Sequence, residues 1–169
     1  MGTANVQGQI WGARARDWAD VQESVAVPLF EAVLQEPQLG TGHAVAQALP
    51  VVPGDALVLV LNGDVPLVPG EMLGRLLDAA RGGLAIATCE LGDASGYGRV
   101  VRDASGKVRR IVEHKDASVQ ELAISEWYAG FLAAPARSLA RWIKGLTSDN
   151  AQKEYYLTDV IGLAVAEGV

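Results

Sequence analysis

Residues 56–62, Ala-Leu-Val-Leu-Val-Leu-Asn, form an unbroken apolar run that ends at Gly63-Asp64. A strand with one face in water alternates apolar and polar residues. A run without alternation must be covered on both faces, as in a parallel sheet flanked by helices. The sequence continues in keeping with that constraint. Glu71 to Ala80 has the spacing of an amphipathic helix, and a second apolar run, Leu84 to Thr88, follows. Strand, helix and strand in succession predict an α/β layered fold with right-handed crossovers. Beyond it the pattern changes. Arg99–Arg102 and Lys107–Val112 flank Asp103-Ala104-Ser105-Gly106, which reads as a half-buried β-hairpin. Residues 126–133 read as a further strand, broken by Pro135, with helices expected at Arg137–Lys144 and Leu157–Ala166. There is no internal repeat and no low-complexity segment.

Composition narrows the function classes. A chain of 169 residues, 50% hydrophobic and 20% charged, suits one globular domain with a sizeable core. Fourteen basic residues against twenty acidic leave a net charge of −6, which argues against nucleic acid as a partner. No apolar run approaches the roughly 20 residues of a membrane helix, and the first residues lack the pattern of a secretory signal. A cytoplasmic protein without membrane partners is the expectation. Cys89 stands alone, so an intrachain disulfide or a cysteine zinc cluster is excluded. Residues 1–34 read as an atypical leader ahead of a domain at 35–169. The leader carries Trp11, Trp18, Arg14 and Arg16, then an apolar stretch from Val25 to Leu34 in which Pro28 could open a helix. Its blander reading is a packing segment without chemistry.

Four clusters could carry chemistry. Asp64 follows the apolar strand, where ligands of open α/β sheets collect; its carboxylate could hold Mg²⁺ or merely cap the next turn. Gly40-Thr41-Gly42-His43 is a glycine turn feeding a helix N-terminus, a place that favours negative charge, although many such glycine pairs are only turns. Gly96-Tyr97-Gly98-Arg99 could bring backbone donors and an aromatic ring to a polar ligand, or be a tight turn at the hairpin entrance. In Glu113-His114-Lys115-Asp116, Glu113 could accept hydrogen bonds from sugar hydroxyls and Lys115 could face a phosphate; such a polar run is otherwise a solvated loop. His43 and His114 have no partner at metal or triad spacing and read as structural, with Cys89 a small core hydrophobe.

Taken in order, Gln38-Leu39-Gly40-Thr41-Gly42-His43-Ala44, Gly63-Asp64-Val65-Pro66-Leu67, Gly96-Tyr97-Gly98-Arg99, Val112-Glu113-His114-Lys115-Asp116-Ala117 and Asn150-Ala151-Gln152-Lys153-Glu154-Tyr155-Tyr156-Leu157-Thr158-Asp159 resemble one family. It is the uridyltransferase domain of the bifunctional N-acetylglucosamine-1-phosphate uridyltransferase/glucosamine-1-phosphate acetyltransferases. Each motif alone is unspecific; their succession from about residue 34 onward is specific. The resemblance implies a Rossmann-like nucleotidyltransferase sheet with an added β-hairpin. It implies a reaction of UTP with N-acetylglucosamine 1-phosphate, giving UDP-N-acetylglucosamine and pyrophosphate with Mg²⁺. Carried over by motif, Gln35, Gly40 and Thr41 would contact the uridine part, Asp64 would ligate the metal, and Gly98 and Glu113 would hold the sugar phosphate.

The departures shape the expectation as much. The family opens with a strand and a glycine-rich loop, Leu-Ala-Ala-Gly-x-Gly-Thr-Arg-Met, that wraps the triphosphate, and no such motif occurs here. Residues 11–18, Trp-Gly-Ala-Arg-Ala-Arg-Asp-Trp, are instead similar over a short stretch to the start of a class I methyltransferase. No glycine-rich cofactor motif follows, so S-adenosylmethionine binding is not expected. The family's Glu-Ile-Asn-Thr-Gly is replaced by Glu126-Trp127-Tyr128-Ala129-Gly130, which puts Tyr128 where an asparagine would bind the sugar. The chain ends before a later metal-site asparagine and before the acetyltransferase domain. The sequence therefore reads as an incomplete nucleotidyltransferase sheet with impaired turnover, or as a non-catalytic UDP-sugar-binding module or nonfunctional gene fragment. Without the family's first strand, the 57–62 strand is expected to present an unpaired edge that invites self-association, with Val58, Val60 or their neighbours exposed.

Overall fold

The computed structural model describes residues 39–63, 65 and 67–169. The leader at 1–34 and its expected helix, the boundary at 34/35, and Gln35 and Asp64 lie outside the described residues. In chain order the elements are helix α1 (Thr41–Ala48), continued by a 3₁₀ turn (Leu49–Val51), and strand β1 (Leu57–Val60). Helix α2 (Gly70–Ala80), strand β2 (Ala85–Glu90) and the hairpin strands β3 (Arg99–Arg102) and β4 (Val108–Val112) follow. Short helix α3 (Val119–Leu122), strand β5 (Glu126–Pro135), helix α4 (Ala136–Ile143) and helix α5 (Asp159–Ala166) complete the described chain.

The sheet is mixed α/β in setting and open, and β5 is its axis. Leu132 and Ala133 are paired on both edges, with Val60 and Leu59 of β1 on one and Ile86 and Ala85 of β2 on the other. Farther back along β5, Trp127 sits between Cys89 of β2 and Arg99 of β3. Strand β3 then pairs with β4 as the expected hairpin. The sequence reading places the 57–62 run in a parallel ladder; the structure inserts β5 antiparallel between β1 and β2. These two strands run parallel to one another but share no hydrogen bonds. The insertion is possible because β5 is apolar on both faces, so it can occupy the dry centre that a parallel neighbour would otherwise fill.

Alternation along the strands sorts two cores. Val58 and Val60 of β1, Ile86 of β2, and Tyr128, Leu132 and Ala134 of β5 face Leu139 and Trp142 of α4 and Val160, Ile161 and Ala164 of α5. Leu57 and Leu59, Ala85 and Ala87, and Ala129, Phe131 and Ala133 face Leu76 and Ala80 of α2. The apolar residues 57–61 therefore pack on both faces but stay only partly buried, and Asn62 is exposed. Val58 and Val60 are half-buried in the first core, so the expectation of exposure does not hold for them. Among the described residues no strand pairs with the outer edge of β1.

Helix α3 was not expected. Its start carries a capping box: the Ser118 side chain accepts from the Glu121 amide, and the Glu121 carboxylate accepts from the Ser118 amide. Among the described residues no helix is long and apolar enough to cross a membrane. Leu132 is 0% exposed, paired on both edges and packed in the first core. Leu132→Ala is expected to lower the unfolding free energy by about 2–5 kcal/mol. Denaturant melts read this directly, and a loss under about 1 kcal/mol would show that β5 is not the axis of the core.

Candidate functional site

The loop after β4 carries Glu113, and the turn before β3 carries Gly98. The hairpin register pairs Arg99 with Val112, so Gly98 and Glu113 come next to each other at its open end. A Cβ on Gly98 would lie 3.4 Å and 3.5 Å from the two Glu113 carboxylate oxygens and 2.8 Å from Ile111 Cγ2. Any side chain at this position would run into Ile111, while the carboxylate lies at ordinary contact distance. Gly98 is also fixed from the other side, because its carbonyl accepts the Tyr128 amide at 2.9 Å. Tyr128 belongs to the same face as Glu113, and burial together with the Glu113 charge pushes its phenol well above the ordinary range. The residue that departs from the family's pattern therefore stands beside the expected sugar-binding carboxylate.

Gly96 and Tyr97 do not offer free backbone donors. The Gly96 amide donates to His114 Nδ1 at 3.3 Å, and the Tyr97 amide donates to the Ala94 carbonyl at 3.1 Å. The Tyr97 ring, about half exposed, lies 4.1 Å from the Trp127 ring between centroids, tilted by 44°. This stretch is the tight turn at the hairpin entrance. His114 Nδ1, by accepting the Gly96 amide, holds that turn. Lys115 is exposed. Cys89 is exposed as well, which corrects the expectation of a core residue.

The Gly40 turn is explained by what it docks against. Gly40 has φ 95° and ψ 172°, a backbone region essentially reserved for glycine. A Cβ there would lie 2.9 Å from the Tyr155 carbonyl oxygen, and one on Gly42 would lie 2.8 Å from the same atom. The Gly42 amide donates to that carbonyl at 2.8 Å, so it is not one of the free donors expected at this helix start. Tyr155 in turn donates its amide to the Leu39 carbonyl at 2.8 Å, and the Leu157 amide donates to Thr41 Oγ1 at 3.1 Å.

Residues 150–159 thus join the two expected half-sites. At one end they hold Gly40, Thr41 and Gly42. At the other, Thr158 Oγ1 donates to Glu113 Oε1 at 2.8 Å. Asp116 accepts from the Ala151 amide at 2.9 Å and from the Tyr156 hydroxyl at 3.2 Å. Burial and that carboxylate push the Tyr156 phenol up to about 12. Arg110, Glu113, Asp116, Asn150, Tyr156 and Asp159 line a cleft of about 440 Å³. Asp159 is raised above the ordinary carboxylate range by burial first, then by the charges of Glu113 and Asp116, with Arg110 opposing. Among the described residues no group of three or more His, Cys, Asp or Glu side chains is arranged to hold a metal ion.

A family model described as the MobA-like NTP transferase domain matches residues 13–123. The chain belongs to that family. The bifunctional protein GlmU of Paracidovorax citrulli is 53% identical over 169 residues, covering 99% of this chain and 33% of the relative. The bifunctional protein GlmU of an Acidovorax species is 57% identical over 138 residues, covering 81% of this chain and 29% of the relative. The resemblance carried by the motifs is thus borne out, and the chain spans about a third of the length of these curated relatives. Among solved structures, one described as a glucose-1-phosphate thymidylyltransferase from Bacillus anthracis aligns with a TM-score of 0.61 at 18% identity. It covers 80% of this chain and 52% of that one. A UDP-glucose pyrophosphorylase complexed with UDP-glucose aligns with a TM-score of 0.56 at 16% identity, covering 79% and 52%. At such identities the likeness establishes the fold, which is the Rossmann-like nucleotidyltransferase type expected from the motifs.

Within this family frame, the structure brings Gly98 and Glu113 together and links Gly40 and Thr41 to them through residues 155–158. Asp116, Tyr156 and Thr158 were not singled out from the sequence. All three lie inside quoted motifs, but their roles depend on partners 35 to 45 residues away.

The position of Asp159 makes a pH prediction. Its place in the first turn of α5 favours the charge by about 0.3–1 kcal/mol, yet burial and two neighbouring carboxylates outweigh it. A carboxyl with a raised folded-state value binds its proton more tightly when folded. Its contribution to stability is therefore complete below the ordinary value of about 3.9 and is lost as pH rises through the folded value. Asp159→Asn is expected to melt above the parent at neutral pH, with the gap closing as pH falls toward about 4. Paired thermal melts across this range check it; a gap that is absent or widens on acidification contradicts the assignment.

Proposed function

We propose that this chain forms the sugar-binding side of a sugar-1-phosphate nucleotidyltransferase, one that joins UTP to N-acetylglucosamine 1-phosphate. The products would be UDP-N-acetylglucosamine and pyrophosphate. The observation that carries the reading is the Gly98–Glu113 pair. Gly98 lies in van der Waals reach of the Glu113 carboxylate, whose Oε1 is taken by Thr158 and whose Oε2, without a partner among the described residues, can accept from sugar hydroxyls. The family match and the GlmU relatives support the same direction. In this reading Gln35, Gly40 and Thr41 face the uridine part. Asp64, at the end of the buried run, ligates Mg²⁺, whose chemistry is to neutralise charge on the phosphates. The reaction needs two anionic reactants held in line and no covalent protein intermediate.

The 169-residue sequence contains no glycine-rich triphosphate loop. Loss of one preorganised electrostatic donor commonly costs about 10²–10³-fold in rate. The chain assayed by itself is therefore expected to release pyrophosphate from UTP, N-acetylglucosamine 1-phosphate and Mg²⁺ far below the usual enzyme range of about 1–10³ s⁻¹. Turnover within that range would overturn the impairment. Titration with UDP-N-acetylglucosamine separates the rival readings. Binding without turnover supports a UDP-sugar-binding module, and neither activity supports a nonfunctional fragment. The outer edge of β1, without a partner strand among the described residues, adds self-association to the proposal. Light scattering at micromolar concentration is expected to show oligomers, and a cooperatively melting monomer would contradict that part alone.

A further inference from the structure

We infer that Thr158 is a positioning residue for Glu113, an inference that rests on the sugar-binding reading above. A threonine at a helix N-cap ordinarily turns its hydroxyl back to accept an amide of the first turn. Thr158 caps α5 and makes no such bond. Its φ of −60° and ψ of −24° continue the helix backward, and its hydroxyl donates to Glu113 Oε1 at 2.8 Å instead. The residue is 6% exposed, so this donor is fixed by packing rather than shared with water.

The need for such a donor follows from the surroundings. Glu113 lies at the end of a strand on a loop, and no lysine or arginine forms an ion pair with it among the described residues. Gly98 supplies room and no donor. Tyr128 is close enough for the carboxylate charge to raise its phenol, and Asp116 and Asp159 are like charges nearby. A carboxylate in that company would be pushed away from its acidic neighbours. Among the described residues the Thr158 hydroxyl offers the one directional bond that holds Oε1 inward. Oε2, without a hydrogen-bond partner among the described residues, is thereby left to a ligand. Thr158 is itself held through its neighbour, since the Leu157 amide is bonded to Thr41. The fixing of Glu113 therefore refers back to the helix start that faces the nucleotide.

The test is calorimetric titration of the full chain with UDP-N-acetylglucosamine and with UMP, comparing the parent with Thr158→Val, Thr158→Ser and Glu113→Gln. Valine keeps the shape and removes the donor. Thr158→Val is expected to weaken UDP-N-acetylglucosamine about ten-fold, the loss typical of a hydrogen bond to a charged group, with UMP affinity changed less than about two-fold. Thr158→Ser restores the hydroxyl and is expected to restore binding. A double-mutant cycle of Thr158→Val and Glu113→Gln, read by thermal melts without ligand, is expected to show coupling between the two side chains. Additive melts, or sugar-nucleotide binding retained by Thr158→Val, overturn the role of Thr158. A parent chain that binds UMP as tightly as UDP-N-acetylglucosamine, while the cycle still shows coupling, overturns the sugar-binding reading of Glu113 and leaves the Thr158 bond established.

Discussion

The structure depends on a strand that has no wet side. Residues 131–134 of β5 are nearly or wholly buried, bonded on both edges over Leu132 and Ala133, and packed on both faces. A backbone in that setting must satisfy every amide and carbonyl within the sheet, because water cannot reach them. This fixes β1 and β2 as its neighbours. It also fixes which side of each turns toward α2 and which toward α4 and α5. The hairpin of β3 and β4 then has one place to attach, against the more polar start of β5 near Trp127. Gly98 and Glu113 are carried to the site by that attachment. A shift of β5 by one residue would exchange its two faces and remove Tyr128 from the Glu113 side.

Much of this was written in local pattern. The apolar run at 56–62 called for cover on both faces, and residues 57–61 pack on both while remaining only half-buried. The helix at Glu71–Ala80 and the hairpin around Asp103–Gly106 follow from spacing and turn residues, and the hairpin loop is closed by the Asp103 carboxylate accepting from the Ser105 and Lys107 amides. Helix α3 was equally legible in Ser118-Val119-Gln120-Glu121, a complete capping signature, but its single turn is too short to show a period. The antiparallel placement of β5 was not legible. Apolar composition shows that a strand is buried and leaves open which strands lie beside it. That choice is made by long-range pairing, between residues such as Val60 and Leu132 that lie far apart in the chain.

The same division runs through the site. Gly98 and Glu113 belong to sequence motifs, and their meeting follows from the hairpin register. The glycines at 40 and 42 were visible as a turn, but their purpose was not. They are small because the Tyr155 carbonyl packs onto them, which no inspection of residues 40–43 alone could show. Thr158 is the clearest case. In sequence it is a helix-capping threonine, and its actual bond runs to a residue on another element. Functional side chains that break a local rule can be recognised only after the fold has supplied the partner for which the rule was broken.

Charge decides what the described half of the site can be asked to bind. Its cleft is lined by Glu113, Asp116, Asp149 and Asp159, with Arg110 as the basic group, and Arg110 is ion-paired with Glu121. Such a surface repels phosphate and welcomes hydroxyl donors. In the proposed reading, the uncharged, hydroxyl-rich sugar end of a sugar nucleotide would suit such a lining better than the phosphate end. Attraction for the phosphates must therefore come from other groups, in this reading from Mg²⁺ on Asp64 and from amides and cations outside this cleft. A nucleotidyltransferase benefits from that separation. In the proposed reading the sugar would be oriented by acceptors where no phosphate competes for them, and its own phosphate would point toward the nucleotide.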